Sequence, residues 1–194
     1  FIIRKHTISC DSGNRGNRIQ HLGDLISNVQ LEMDVTGSSS VIDNNIGTSL
    51  LNDISLYVNE KEIDNLSGSY IEMYLKLNNP TGINNFYQNI GTELTANTGT
   101  MEQILSLSGG MYNMNKLSNS SYKVIIPIPF SFTTNPGNAL PLFLFHNNRP
   151  LYIYFNLNNE NGRSIDTNFI IDYIILSYEE KMRFKVSTNE YLYH

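Results

Sequence analysis

Asn28-Val29-Gln30-Leu31-Glu32-Met33-Asp34-Val35 places an apolar side chain at every odd position and a polar one at every even position. Successive side chains of an extended strand point to opposite faces. The stretch therefore predicts a strand with Val29, Leu31 and Met33 on a core and Asn28, Gln30 and Glu32 facing outward. The same period recurs downstream. Leu151 to Leu157 opposes Tyr152 and Tyr154 to Ile153 and Phe155, and Ile54-Ser55-Leu56-Tyr57-Val58 and Glu62-Ile63 flank the polar trio Asn59-Glu60-Lys61, which predicts a hairpin. Lys123 to Phe132 is β-branched and aromatic, but Pro127 and Pro129 cannot donate ladder hydrogen bonds, so an edge or bulged strand is expected. Leu142 to Phe145 reads as a further strand. Phe169 to Tyr178, apolar except mainly at Asp172 and Ser177, reads as a strand covered on both faces.

Between these runs lie turn signals. Asn135-Pro136-Gly137 reads as a tight turn in which Pro136 fixes φ and Gly137 is free to take a positive one. Asn147-Asn148-Arg149-Pro150 and Asn158 to Arg163 read as two more. Ser69-Tyr70-Ile71-Glu72 fits a capping box, with Ile71, Tyr74 and Leu75 following at helical spacing until Asn78-Asn79-Pro80 stops the helix. Residues 78–122 form a long excursion rich in Asn, Gly, Thr and Ser, with a faint helical repeat from Met101 to Leu107. Connections of that length are commonly functional, which makes it a place to expect contacts outside the domain. Glu179 to Lys185 reads as a solvated turn pinned by Met182 and Phe184. Short strands, regular turns and no alternation of strand with helix predict an all-β fold: an antiparallel jelly-roll sandwich with one or two short helices in loops, residues 1–194 forming a single domain. The expected core includes Val29, Leu31, Met33, Leu56, Ile128, Phe130, Ile153, Phe155, Ile171 and Ile175.

The chain of 194 residues is long enough for a substantial core. Charged residues make up only 16 %, while Asn alone contributes 27 of the 194, so the surface is rich in amides rather than charges. A net charge of -5 without any basic block argues against direct nucleic-acid binding. The longest uninterrupted apolar run, Ala139 to Phe145, is far too short for a transmembrane segment. Phe1 rather than Met opens the sequence, and the expectation is a processed product or a fragment.

Chemistry-bearing patterns are sparse. Cys10 is the single cysteine, which excludes an internal disulfide and a multi-cysteine zinc site. His6, His21, His146 and His194 are scattered without ligand spacing, so no metal and no cofactor are expected. No nucleophile elbow, dinucleotide fingerprint or phosphate-binding loop occurs, and Asp11 to Gly16 is read as a flexible Gly-containing loop. Catalysis is not expected. Asn65-Leu66-Ser67 and Asn119-Ser120-Ser121 match the glycosylation acceptor pattern, which makes Asn65 and Asn119 the candidate modification sites. The many Tyr and Asn residues would also suit a sugar-binding face, since Tyr combines an apolar ring with a polar tip.

Several segments form an ordered set: Arg4-Lys5-His6-Thr7; Gly23-Asp24-Leu25-Ile26; Ile54 to Asp64 with Ser67 to Tyr74; Ile126 to Phe132 leading into Asn135 to Leu142; and Ile171 to Leu176 with Glu180, Arg183-Phe184 and Asn189-Glu190-Tyr191-Leu192. Taken in order, they resemble the major capsid proteins of nucleocytoplasmic large DNA viruses. The resemblance implies the N-terminal half of a double jelly roll, in a structural protein without enzymatic activity. It implies a homotrimer forming pseudo-hexagonal capsomers that tile an icosahedral capsid, with neighbouring capsomers and minor capsid proteins as partners. The location would be the virion, assembled in the infected host cell. An assembly scaffold of the same fold, or a carbohydrate-binding receptor-attachment module, would share these features; a cupin-like metal enzyme would need the clustered histidines that are absent.

Overall fold

The structure is a computed structural model that describes residues 2–10, 16–36, 46–78, 121–145, 150–158 and 164–186. Two antiparallel sheets face each other. The first has the order β1 (Ile2–Cys10), β9 (Ser164–Ile175), β3 (Leu25–Thr36), β6 (Ser121–Pro127), with the short β7 (Leu140–Pro141) also pairing with the start of β3. The second has the order β2 (Asn17–Arg18), β8 (Leu151–Leu157), β4 (Leu51–Val58), β5 (Lys61–Ser67). Among the described strands, the one pair adjacent both in sequence and in its sheet is β4 with β5; apart from that hairpin and the step from β6 to β7, the chain crosses between sheets, which is jelly-roll connectivity. Helices α1 (Ile46–Leu50) and α2 (Gly68–Asn78) lie in the connections from β3 to β4 and from β5 to β6, and α3 (Tyr178–Val186) follows β9.

The alternation that opened the sequence sets the register of the first sheet. β3 pairs with β9 along Val29–Ile171, Leu31–Phe169 and Met33–Thr167, and Val29, Leu31, Met33 and Val35 are all fully buried. A slip of one residue would turn this set to solvent, which fixes the pairing. From the second sheet, Ile54, Leu56, Leu151, Ile153 and Phe155 meet them in the same core cluster, and Phe155 packs edge-on against Phe169 with ring centroids 5.5 Å apart. Truncation of a side chain such as Leu31 to Ala would cost about 2–5 kcal/mol, because packed neighbours fill the cavity only in part.

Several expectations are corrected. Ile175 is half-buried: it shares the inward parity of Ile171 but pairs with exposed Ile2 at the end of the sheet, and the buried residue near that end is Tyr173. The β9 strand starts earlier, at Ser164, and only one face is buried; Ile170 and Ile174 lie on the outer face and are half-covered. Leu142–Leu144 is a 3-10 turn rather than a strand, and the strand there is β7, ending at Pro141, which lacks the N–H to carry a ladder further. Asn135 caps a second 3-10 turn, Pro136–Asn138, by accepting the Gly137 N–H at 2.9 Å, and Gly137 does not adopt a left-handed φ. The hairpin loop is shorter than the polar trio. The strand resumes at Lys61, and Asn59 turns the chain with φ of 59°, a conformation Asn tolerates better than most residues.

Both long helices are capped by serine. Helix α2 begins one residue before Ser69: the Ser67 hydroxyl accepts the Tyr70 N–H at 3.2 Å. Gly68 must be glycine there, because a Cβ would stand 1.9 Å from the Leu51 carbonyl oxygen. Ile71 and Leu75 are buried under it as the spacing predicts, and the stop at Asn78 agrees with the helix-ending signal. The segment Glu179–Lys185 is helix α3 instead of a turn. Ser177 and Glu180 form a reciprocal capping box, Glu180 N–H to Ser177 Oγ at 3.3 Å and Ser177 N–H to Glu180 Oε2 at 2.8 Å. Those bonds hold the Glu180 carboxyl below its ordinary range, and Met182 is exposed rather than pinning the segment. β6 is an edge strand as expected but ends at Pro127; Ile128 to Phe132, read as its continuation, leaves the strand and turns. Residues 11–15, 79–120, 146–149 and 159–163, which include the sequence-predicted loop and turns, lie outside the described residues, as do Asn119, His146 and His194.

Candidate functional site

On the outer face of the second sheet, β4, β5 and β8 present Asp53, Ser55 and Tyr57; Glu62 and Asn65; and Tyr154 and Asn156. Ser55 is the small residue in the middle. It sits opposite Tyr154 on one side and Asn65 on the other, so a cleft of about 500 Å³ opens above it between bulkier neighbours. The walls are fixed by their own contacts. Tyr57 donates its hydroxyl to Glu62 Oε2 at 2.5 Å, and this bond raises the phenol pKa above its usual value. Asn65 Nδ2 donates to Glu62 Oε1 at 3.3 Å, and Asn156 Nδ2 to Asp53 Oδ1 at 2.7 Å. The Tyr57 and Tyr154 rings meet edge to face at 4.9 Å. Gly16 backs Tyr154, where a Cβ would come within 2.4 Å of the ring.

Of the two acceptor asparagines, Asn65 is exposed in this cleft, and the Ser67 hydroxyl of its acceptor triplet caps helix α2. Among the described residues no group of three or more His, Cys, Asp or Glu side chains is placed to hold a metal. His6 lies on the exposed edge strand β1. His21 lies in the connection before β3, where partial burial and then the Arg18 charge lower its pKa. No helix among the described residues is long and apolar enough to cross a membrane.

The end of the sandwich where β3 starts and β9 finishes is tied by one side chain. Asp24 accepts the Leu176 N–H at 2.8 Å and pairs with Lys181 at 2.9 Å, joining α3 to the first sheet. At the other end, α2 exposes Tyr70, Met73 and Leu77 on the side away from Ile71 and Leu75. Tyr57, Glu62 and Tyr154 lay in separate strand patterns and Asn65 in an acceptor triplet, but no spacing in the sequence signals that three strands bring them into one cleft.

A five-stranded and a four-stranded antiparallel sheet, joined by crossovers, define a jelly-roll module. Comparison with known proteins narrows this. Residues 3–182 match the family model described as "Major capsid protein N-terminus". The major capsid protein of Pyramimonas orientalis virus is 26 % identical over 182 residues, covering 90 % of this chain and 43 % of that protein. The major capsid protein of Spodoptera frugiperda ascovirus 1a is 27 % identical over 104 residues, covering 54 % of this chain and 19 % of that protein. Among solved structures, VP54 of PBCV-1 superposes with a TM-score of 0.68 at 21 % identity over 99 % of this chain and 47 % of VP54. The chain thus spans less than half the length of the relatives it matches. The chain belongs to the major capsid protein N-terminal family.

Proposed function

We propose that this chain, residues 1–194 as one domain, is the N-terminal jelly roll of a longer capsid subunit. Three such subunits would associate into a pseudo-hexagonal capsomer that tiles an icosahedral face. The observation that carries the reading is the overlay of nearly the whole chain onto about half of VP54, which leaves a second half of similar size in the longer relative. Closed cyclic assembly of identical subunits needs complementary patches on one chain, and a rigid sandwich with loops and short helices at its ends is suited to present them. The partners are further copies of the subunit, neighbouring capsomers and minor capsid proteins. Native mass spectrometry of the full-length protein tests this: trimers at micromolar concentration are expected, and a stable monomer would remove the mechanism.

A further inference from the structure

We propose that the cleft over Ser55 is a binding site for a neutral pyranoside sugar, a role separate from capsomer assembly and independent of it. Three features of the cleft favour a saccharide. Its polar groups are mixed: the Asn65 and Asn156 amides can donate and accept, the Ser55 and Tyr154 hydroxyls can do both, and the Glu62 and Asp53 carboxylates accept. A sugar ring edge, carrying hydroxyls that also do both, complements that set. The Tyr57–Tyr154 pair adds an aromatic wall against which the apolar C–H face of a pyranose can lie, and Tyr154 is still 37 % exposed. With two carboxylates and no Lys or Arg in the lining, phosphorylated, sulfated and sialylated ligands are repelled.

The site is also preorganised. Glu62 is held from two sides by Tyr57 and Asn65, Asp53 is held by Asn156, and Gly16 supports the Tyr154 ring from behind. These contacts reduce the side-chain freedom lost on binding. The small Ser55 leaves room for the ligand. Ser55 is buried at the floor, and a larger apolar side chain there would take up that space.

The test titrates the full-length protein with methyl pyranosides of glucose, galactose, mannose and N-acetylglucosamine, read by saturation-transfer NMR and calorimetry. At least one should bind, with Kd on the order of 1 mM, and with affinity unchanged between about 0.1 M and about 0.5 M salt, as suits a neutral ligand. Ser55→Ile and Tyr154→Ala should each weaken binding about tenfold or more, while Ser55→Ile leaves the oligomeric state as in the wild type. Asn65→Ala, at an exposed position, is a third variant with no bearing on the core and should also weaken binding. Glycans released from the particles and from host cell surfaces, compared as competitors, identify which source carries the preferred sugar. No binding by any of the four pyranosides, binding indifferent to all three substitutions, or stronger binding of tetramethylammonium that fades with salt would each overturn the proposal. Loss of trimers would instead bear on the assembly reading alone.

Discussion

Asp24 accepts the backbone N–H of Leu176 across 152 residues of sequence, at 2.8 Å, with its second oxygen on Lys181. The two contacts differ in worth. Lys181 is 36 % exposed, so that ion pair is screened and contributes at most about 1 kcal/mol. The Leu176 N–H meets a carboxylate at a part-buried position, and truncation of Asp24 leaves it without this acceptor. Asp24→Ala should therefore lower stability by about 1–3 kcal/mol, and Lys181→Ala by less than about 1 kcal/mol, as measured by urea denaturation. Equal losses from the two variants would contradict this division.

Among the described residues Tyr173 has the largest fully buried side chain, and its hydroxyl donates to the Gln20 carbonyl at 2.9 Å. Burial pushes its pKa from 10.0 up to about 12. The folded state thus keeps the phenol protonated over a range where the unfolded chain releases the proton. The sign follows: this contribution to stability is complete below about pH 10 and is lost as pH rises towards 12. Tyr173→Phe should cost about 1–2 kcal/mol at neutral pH and flatten the alkaline fall in stability. A variant that keeps the same alkaline fall would assign it to another group.

Much of the fold was legible because burial imposes a period. In β3 and β8 one face meets the core and the other meets water, so alternation in sequence reports the strand, its register and the inward residues directly. Where that contrast is missing, reading falters. β1 is exposed along most of both faces, with Ile2 and Ile3 adjacent and both out, so no alternation marks it as a strand. The apolar Leu142–Leu144 run carries no period that separates strand from helix. Helix α3 has only a faint apolar side, and its one clear signal is the Ser177–Glu180 capping box. The Ser55 cleft was illegible for a different reason: its groups become neighbours only through pairing of β4 with β5 and β8, which no local pattern encodes.

Gly68 and Gly137 make opposite predictions. At Gly68 an added Cβ would lie 1.9 Å from Leu51 O and 2.6 Å from Thr48 O, both backbone atoms that cannot move without shifting the α1–β4 junction. Gly68→Ala should cost about 3 kcal/mol or more, at the upper end of single-residue effects. At Gly137 the nearest atom is the Asn135 side-chain oxygen at 3.3 Å, and the backbone is not left-handed. Gly137→Ala should stay within about 1 kcal/mol of the parent. Thermal denaturation of the pair checks both, and a large loss at Gly137 would show that the 3-10 turn cannot give way by the needed few tenths of an ångström.

The outer side of α2 supplies a prediction that separates stability from association. Met73 is 51 % exposed and Leu77 69 % exposed, spaced four residues apart on one helix face, with Tyr70 one turn before Met73. The buried side of the same helix, Ile71 and Leu75, anchors it to the core. Exposed apolar side chains on one stripe favour contact with other apolar surface, whereas they add little to the fold of the chain that carries them. Lys at these positions keeps good helix propensity and replaces apolar surface by charge. Met73→Lys together with Leu77→Lys should change the unfolding free energy by less than about 0.5 kcal/mol per site while raising the concentration at which the protein self-associates, as followed by light scattering and sedimentation. A large drop in stability would mean that this stripe packs within the folded chain, and unchanged association would mean that other surfaces drive it.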